Sequence, residues 1–280
     1  VVNGNVRCKN LTLRTNEGVV RGNYEMLSDG WANYTAFIQE VRLRADLYES
    51  EIQFDDIAYF TPNLRGFLTP LRFTGRVSGT IDDLRANVDE LRFVNQGYLR
   101  GKLKIKGLPD IEGTFIDADL DQLYSTFEDA TKINLPKDGG FVQLSFPENV
   151  MRMKYVDFVG SFTGFVNDFV TSGNIETALG TLEADVNVKI DDQFRYSGEL
   201  FTNNFQLGRL IDAKPQVNSI AVDLRIRGVG LDIKTMDVFA VGKVQHVDVF
   251  GYDYRDIIVD GQFTNLVFNG DISIADTNIN

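Results

Sequence analysis

Residues 73–81 read FTGRVSGTI, an alternation of apolar and polar positions in which glycine twice takes an apolar place. Successive side chains of a β-strand point to opposite faces, so Phe73, Val77 and Ile81 share one face with Gly75 and Gly79. The opposite face carries Thr, Arg and Ser. One apolar face and one wet face are typical of an antiparallel sheet. The glycines indicate either tight curvature or gaps along an interior channel, and the two interpretations are compatible.

The same alternation recurs from one end of the chain to the other. It is found at residues 41–47, 99–105, 158–166, 182–190, 196–200, 220–226, 259–263 and 268–274. Short turn signals such as Asp82-Asp83 and Asn95-Gln96-Gly97 separate these stretches. The sequence therefore predicts an all-β fold, in which one antiparallel sheet continues over residues 1–280 as a repetitive array, with a possible seam near 131–140.

Two segments show helical spacing. Leu120, Leu123 and Phe127 stand at i, i+3 and i+7, which predicts a short amphipathic helix over residues 119–130. Residues 205–211, FQLGRLI, predict a second helix of a single turn. We expect both helices to plug or cap part of the sheet.

Composition limits the partners. Apolar residues make up 43% of the 280 residues, and the formal net charge is −12. Nucleic-acid binding depends on basic residues that release counterions, so the acidic excess argues against nucleic acid as a partner. It argues equally against electrostatic adsorption to anionic lipid headgroups. Any contact with lipid must therefore use apolar surface.

Neither end of the chain resembles a targeting segment. No stretch approaches the roughly 20 apolar residues that span a bilayer, and the start, VVNGNVR, lacks the basic-then-apolar order of a signal peptide. Residues 271–280 have the pattern of a strand without a closing element. We therefore expect the chain to be a middle piece of a longer protein.

Catalytic patterns are sparse. The single histidine, His246, lies in an alternating strand, far along the chain from the single cysteine, Cys8. This argues against most His-based metal sites and against a Ser-His-Asp triad, and it favours an ordinary strand residue at 246. Acidic pairs such as Asp191-Asp192 are explained by turns. The sequence predicts a protein that is not an enzyme and that needs no cofactor.

One acidic stretch imitates a calcium loop. Asp117, Asp119 and Asp121 alternate, and Glu128 stands at the twelfth position. Gln122 occupies the sixth position, where such a loop requires glycine. We therefore expect no metal at this stretch.

Several longer stretches carry a resemblance to a known family. They are residues 73–84, 99–115, 161–170 followed by 179–182, 196–200 with 205–211, and 254–263 leading into 268–272. In order and number they resemble the TamB family within the AsmA-like group, in particular its Bacteroidota members. The resemblance covers roughly residues 70–280, whereas residues 1–69 are similar only in their general sequence pattern.

The resemblance implies a β-taco architecture, a long antiparallel sheet folded lengthwise into a U-shaped, partly open tube with an apolar interior. It also implies a periplasmic location, with the full-length protein anchored in the inner membrane. A C-terminal region outside this chain would engage an Omp85-type, BamA-like outer-membrane β-barrel.

The expected function is a lipid conduit for outer-membrane biogenesis. Each exposed CH₂ costs about 0.8 kcal/mol, so an acyl chain of roughly 16 carbons opposes desorption by about 13 kcal/mol. A continuous apolar groove removes most of that barrier while the headgroup stays in water. The alternative is a chaperone that templates outer-membrane barrel strands by β-augmentation. A β-helix that binds or cleaves polysaccharide is disfavoured because the spacing of the repeats is irregular.

Strand parity selects the residues expected to line the groove and to contact phospholipid acyl chains. They are Phe73, Val77, Ile81, Leu99, Leu103, Ile105, Phe162, Val166, Leu182, Val186, Val188, Leu200, Val222, Leu224 and Ile272. The competing interpretation is that they fill the core of an ordinary sandwich.

Overall fold

The computed structural model describes residues 4–15, 18–53, 70–137 and 140–275, excluding the side chains of residues 134–142. Residues 276–280 of the predicted terminal strand and residues 138–139 of the predicted seam lie outside the described residues.

The prediction of an all-β antiparallel fold is confirmed. The strands are β1 (Val6–Arg14), β2 (Val19–Leu27), β3 (Arg42–Ile52), β4 (Leu71–Gly79), β5 (Asp83–Phe93), β6 (Gly97–Lys106), β7 (Phe115–Thr126), β8 (Asn134–Lys137), β9 (Gly140–Gln143), β10 (Tyr155–Phe165), β11 (Asp168–Thr177), β12 (Gly180–Ile190), β13 (Phe194–Phe205), β14 (Val217–Val229), β15 (Asp237–Val249), β16 (Tyr252–Thr264) and β17 (Val267–Ile274). Fifteen strands form one open sheet in chain order, from which β8 and β9 are excluded because they pair with each other.

Helices are short and confined to connections between strands. They are a 3₁₀ turn (Trp31–Ala36), α1 (Phe37–Glu40), α2 (Phe127–Ala130), α3 (Glu148–Met151) and α4 (Leu207–Leu210). The sequence predicted one or two helices, and the described residues contain four α-helical turns. None of these helices has the length and apolarity to cross a membrane. The helical turn predicted within residues 205–211 is confirmed as α4.

The helix predicted over residues 119–130 is wrong for most of its length. Residues up to Thr126 belong to β7, and only Phe127–Ala130 is helical. Leu120 pairs with Gly101 and Leu123 with Leu99, so an extra residue bulges between the two pairs. A bulge adds one residue to the period of two, which places i and i+3 on the same face of a strand. The helical spacing of Leu120 and Leu123 therefore came from a bulged strand.

Two compact units divide the chain. Unit 1 comprises residues 1–125, 129–144 and 161–166, and unit 2 comprises residues 126–128, 145–160 and 167–280. In unit 1, β1 to β7 form a meander in which each strand pairs with the next. Register shifts mark bulges in β1, β3, β5 and β7. Such bulges bend the strand and increase its twist.

Unit 2 is the second meander, which runs through β11 to β17. Its packed centre is a cluster of Val222, Val244 and Ile257, from three neighbouring strands. Val222 pairs with Val244, and Val244 pairs with Ile257, so the three side chains form one row across the sheet. We call this the sealed row, because each member is at most 7% exposed.

Glycine kinks explain the curvature of the strands. Gly75 in unit 1 and Gly198 in unit 2 both have φ of +152°, a conformation that L side chains rarely adopt. A Cβ atom at Gly198 would stand 2.0 Å from the carbonyl oxygen of Asp185 on β12. Neighbouring backbones therefore approach more closely than any side chain would allow, and the strands bend there.

Candidate functional site

The apolar face of unit 1 brings most of its predicted groove residues together. Register places Phe73, Val77, Leu99, Leu103 and Ile105 on one face of the sheet. Val77 lies opposite Ala86, which in turn lies opposite Leu103. Cross-strand neighbours have Cβ atoms roughly 5 Å apart, so these side chains form continuous apolar rows across the strands.

The apolar face of unit 2 also brings its predicted groove residues together. Its predicted groove residues Leu182, Val186, Val188, Leu200, Val222, Leu224 and Ile272 also share one face. Register defines a second row beside the sealed row, consisting of Leu200, Leu224, Gly242, Val259 and Ile272 in that order across the strands. We call this the open row, because its side chains are half-buried except for Ile272, which is 54% exposed.

Three predicted positions need separate description. Phe162 lies within β10 and is half-buried. Ile81 and Val166 were expected in strands, and this is wrong. Ile81 lies in the bend between β4 and β5, and Val166 lies in the turn after β10, where it is 41% exposed. Both alternating stretches run into hairpin connections, so parity no longer assigns a face there.

Burial of the predicted set is incomplete. Phe73, Val188 and Val222 are buried, at 9%, 5% and 4% exposed, and the other strand members except Ile272 are half-buried. Core residues of a sandwich have a second sheet against them, which covers them fully. The apolar face is therefore only partly covered within the described residues.

Sequence parity missed several buried positions on this face. Val88 and Leu120 in unit 1 are 4% and 5% exposed, and Val244 and Ile257 in unit 2 are both 7% exposed. Leu120 was assigned to the helix that does not form. In β15, a register shift beside Gln245 breaks the alternation around Val244. A bulge can be suspected from sequence only where apolar residues change parity within one strand.

Aromatic rings fill some of the places that glycine was expected to leave empty. A Cβ atom at Gly228 would meet the Tyr196 ring at 2.7 Å, and one at Gly261 would meet the Phe268 ring at 2.7 Å. The Phe73 ring likewise comes within 3.2 Å of a Cβ built at Gly75. Rings lying over strand glycines stabilise a kinked sheet, so the glycines serve curvature more than open space.

The opposite face is polar and solvated. Lys104 pairs with Asp117 at 2.7 Å, and Lys243 pairs with Asp256 at 2.6 Å. The hydrogen bond from Lys104 holds the pKa of Asp117 below its ordinary value. Asp117, of the calcium-like stretch, therefore has a lysine partner on a strand. Across the described ranges, no group of three or more His, Cys, Asp or Glu side chains could hold a metal ion.

His246 is a residue of β15, as predicted. Its Nδ1 atom lies 3.2 Å from Oδ1 of Asp253, and both atoms are buried without an aligned hydrogen bond. The pair is therefore a close contact between two polar groups. Arg255 holds the other oxygen of Asp253 at 2.6 Å.

Helix α3 contacts the connections on both sides of β14. The Asn149 side chain donates to the carbonyl of Leu231, just after β14, at 2.9 Å. The Arg152 side chain donates to the carbonyl of Leu210, before β14, at 3.1 Å.

Helix α3 therefore links the two connections that flank β14. Asn149 and Val150 are buried there, at 7% and 8% exposed. Leu179, in the connection between β11 and β12, is 1% exposed. We call these buried residues around α3 the cap of unit 2.

No protein-family description, curated protein or solved structure matches this chain.

Proposed function

We propose that this chain is a TamB-like lipid conduit of the periplasm, which carries phospholipid between the inner and outer membranes with acyl chains held on its apolar sheet face. The single observation that carries the proposal is the open row of unit 2. Its members belong to consecutive strands from β13 to β17, and the four that have side chains are apolar and only partly covered.

The energetics favour an apolar guest. Leaving a valine or leucine side chain exposed instead of fully buried costs about 1.5–3 kcal/mol, so a partly covered row keeps part of that free energy available. An acyl chain gains about 0.8 kcal/mol for each CH₂ that it buries. Because the row runs across the strands, an acyl chain can move along the sheet while it stays in contact with apolar side chains.

The acidic balance of the chain agrees with this use of the apolar face. A net charge of −12 disfavours attraction to anionic headgroups, so apolar contact must provide most of the affinity. No catalytic residue is needed for transfer along a groove.

The test is photocrosslinking of the full chain to a phospholipid with a photoactivatable acyl chain, together with transfer between donor and acceptor vesicles. Val186→Asp places a charge on the half-buried apolar face and should abolish crosslinking and slow transfer at least tenfold. Thr181→Asp is the matched control, because the Thr181 side chain is exposed on the polar face of the same strand. Unchanged transfer in a Val186→Asp protein with native circular dichroism would reject the conduit.

One observation favours the alternative function. Strand β17 pairs with β16 alone among the described strands, and every residue of β17 is exposed. An exposed strand edge is a template for pairing with another strand, as a chaperone of outer-membrane barrels would require. If Ile274→Pro stops barrel assembly while Val186→Asp does not, the chaperone function replaces the conduit.

A further inference from the structure

An open pocket with a volume of about 500 Å³ lies on the polar face of unit 2, at the end of the strands opposite to α4. We call it the polar hollow, and six of its lining residues carry the argument. They are Asn187, Lys189, Arg195, Ser197, Arg227 and Asp237. Three of the six are cations in a chain whose net charge is −12. With three cations and one carboxylate, these six residues carry a formal charge of +2 (3 − 1).

Strand register brings the cations together. Lys189 lies directly opposite Arg195, and like charges in that position destabilise a sheet. Ser197 lies opposite Asn187 on one side and Arg227 on the other. The three cations thus surround two small polar side chains that can donate or accept hydrogen bonds.

The local carboxylates leave donors unused. Lys189 is 3.3 Å from Asp168, and Arg195 is 2.7 Å from Asp191. Arg227 forms no ion pair with a carboxylate of any described residue, although its guanidinium carries five N–H donors. Asp237, the carboxylate inside the hollow, instead accepts hydrogen bonds from Gln262 at 2.6 Å and Thr264 at 2.9 Å.

Tyr196 lies at the same end of the strands, but it is opposite Val188 and Gly228 and therefore belongs to the apolar face. Burial, and then the negative charge of Asp237, raise the pKa of Tyr196 to about 12. Its hydroxyl therefore stays protonated at neutral pH.

A smaller hollow in unit 1 also combines arginine with hydroxyl groups. It measures about 270 Å³ and is lined by Arg42, Ser78, Gly79, Thr80, Asp83 and Arg85. Arg42 is 3.5 Å from Asp29, and Arg85 has no ion pair within the part of the chain that the structure describes. Each unit thus has a hollow in which an arginine without a carboxylate partner lies beside hydroxyl groups.

We propose that the polar hollow binds a phosphate-type oxyanion. Arg227 is its principal ligand, and Lys189 and Arg195 provide further positive charge. Arginine binds phosphate through two parallel N–H···O bonds, which suits a guanidinium with unused donors. The phosphate belongs either to the headgroup of a phospholipid or to a free phosphate compound. The site stands independently of the acyl-chain groove, since none of its ligands lies on the apolar face.

The test is titration of the full chain with inorganic phosphate and with glycerol phosphate, followed by calorimetry at low and at physiological salt. Arg227→Gln should weaken binding of both at least tenfold. Arg225→Gln is the matched control, because Arg225 lies on the same face of β14 and pairs with Glu199 at 3.3 Å. It should change the affinity less than twofold. Equal loss in both variants, or no saturable binding by the native chain, would overturn the proposal.

A third titration, with a short-chain phosphatidate below its micelle concentration, identifies the source of the phosphate. An affinity at least tenfold above that of glycerol phosphate, lost in both Arg227→Gln and Val186→Asp, indicates a lipid headgroup. An affinity equal to that of glycerol phosphate indicates a free phosphate compound. Because inorganic phosphate has no acyl chain, failure of the lipid conduit leaves the phosphate titration unaffected, and the two proposals fail separately.

Discussion

Gly198→Ala tests whether glycine kinks create the curvature of unit 2. The new Cβ atom would stand 2.0 Å from the Asp185 carbonyl oxygen and 2.7 Å from Cα of Val186, both backbone atoms of β12. The backbone must also keep φ at +152°. A residue held in such a conformation costs about 1–3 kcal/mol, and overpacking adds about 1–3 kcal/mol. We therefore expect a loss of about 3 kcal/mol.

Hydrogen exchange is the appropriate assay, because it reports on β12 and β13 without assuming that both units unfold together. A loss of about 3 kcal/mol corresponds to an increase of about 100-fold in exchange of the protected amides on these strands. Urea denaturation followed by circular dichroism should show the same loss as a lower midpoint.

Substitutions at two other glycines separate the effect of backbone conformation from the effect of steric contact. Gly251→Ala keeps a positive φ of +78° but meets nothing within 4 Å, so it should cost only about 1 kcal/mol. Gly30→Ala has an extended φ of 171° and open space, so it should be neutral or slightly stabilising. If Gly198→Ala behaves like Gly30→Ala, the close approach of the strands at Gly198 is not what bends the sheet, and the reasoning fails.

Three further predictions concern the cap, the rows and pH. Asn149→Ala leaves the carbonyl of Leu231 without its donor and should cost about 1–3 kcal/mol, measured as faster exchange around α3. Val222→Ala should cost about 2 kcal/mol in the sealed row, whereas Ile272→Ala, at a 54% exposed position, should cost less than about 1 kcal/mol in the same urea titration. Because the pKa of Tyr196 is raised from 10.0 to about 12, the unfolded chain ionises first, and stability should fall as pH rises between these values. Tyr196→Phe should flatten that fall in a series of alkaline melts, and an unchanged slope would contradict it.

Strand alternation predicted the faces of the sheet correctly wherever strands are regular. Val77 and Leu103 were assigned to one face from parity alone, and register places both beside Ala86. The physical reason is that the period of a strand is two, so a single buried face fixes the identity of every second residue. The antiparallel arrangement followed from the wet partner residues.

The failures occur at bulges and at hairpins. The bulge of β7 gave Leu120 and Leu123 a helical spacing, and the bulge of β15 hid the alignment of Val244 with Val222. A bulge depends on how the partner strand pairs, and the sequence of one strand alone contains little information about that pairing. Ile81 was misplaced because the alternation itself does not show where a hairpin begins.

The polar hollow could not be predicted from the sequence, because its residues come from separate strands. Lys189 and Arg195 are close along the chain, but Arg227 joins them only through the pairing of β13 with β14. In the sequence each of these residues is an ordinary outward-facing charge, which a solvated strand is expected to have. Only the register shows that these three cations lie on neighbouring strands.

Burial in unit 2 changes from one row to the next, and this bears on where a guest would lie. The sealed row is at most 7% exposed, whereas Leu200 and Leu224 in the adjacent open row are half-buried. If the whole face were the core of a sandwich, neighbouring rows would be buried alike. The difference favours a guest along the open row.

The open row also lies toward the end of the strands that carries the polar hollow. Along β14 the chain passes from Val222 in the sealed row to Leu224 in the open row and then to Arg227, which lines the hollow. Apolar contacts for a hydrocarbon tail and cationic contacts for a phosphate therefore follow each other along one strand, on opposite faces. A molecule with both groups would have to pass around the hairpin end of β12 and β13 to use both. Short-chain phosphatidate binding that depends on Arg227 and on Val186 together would require that path, and additive, independent losses in the two variants would exclude it.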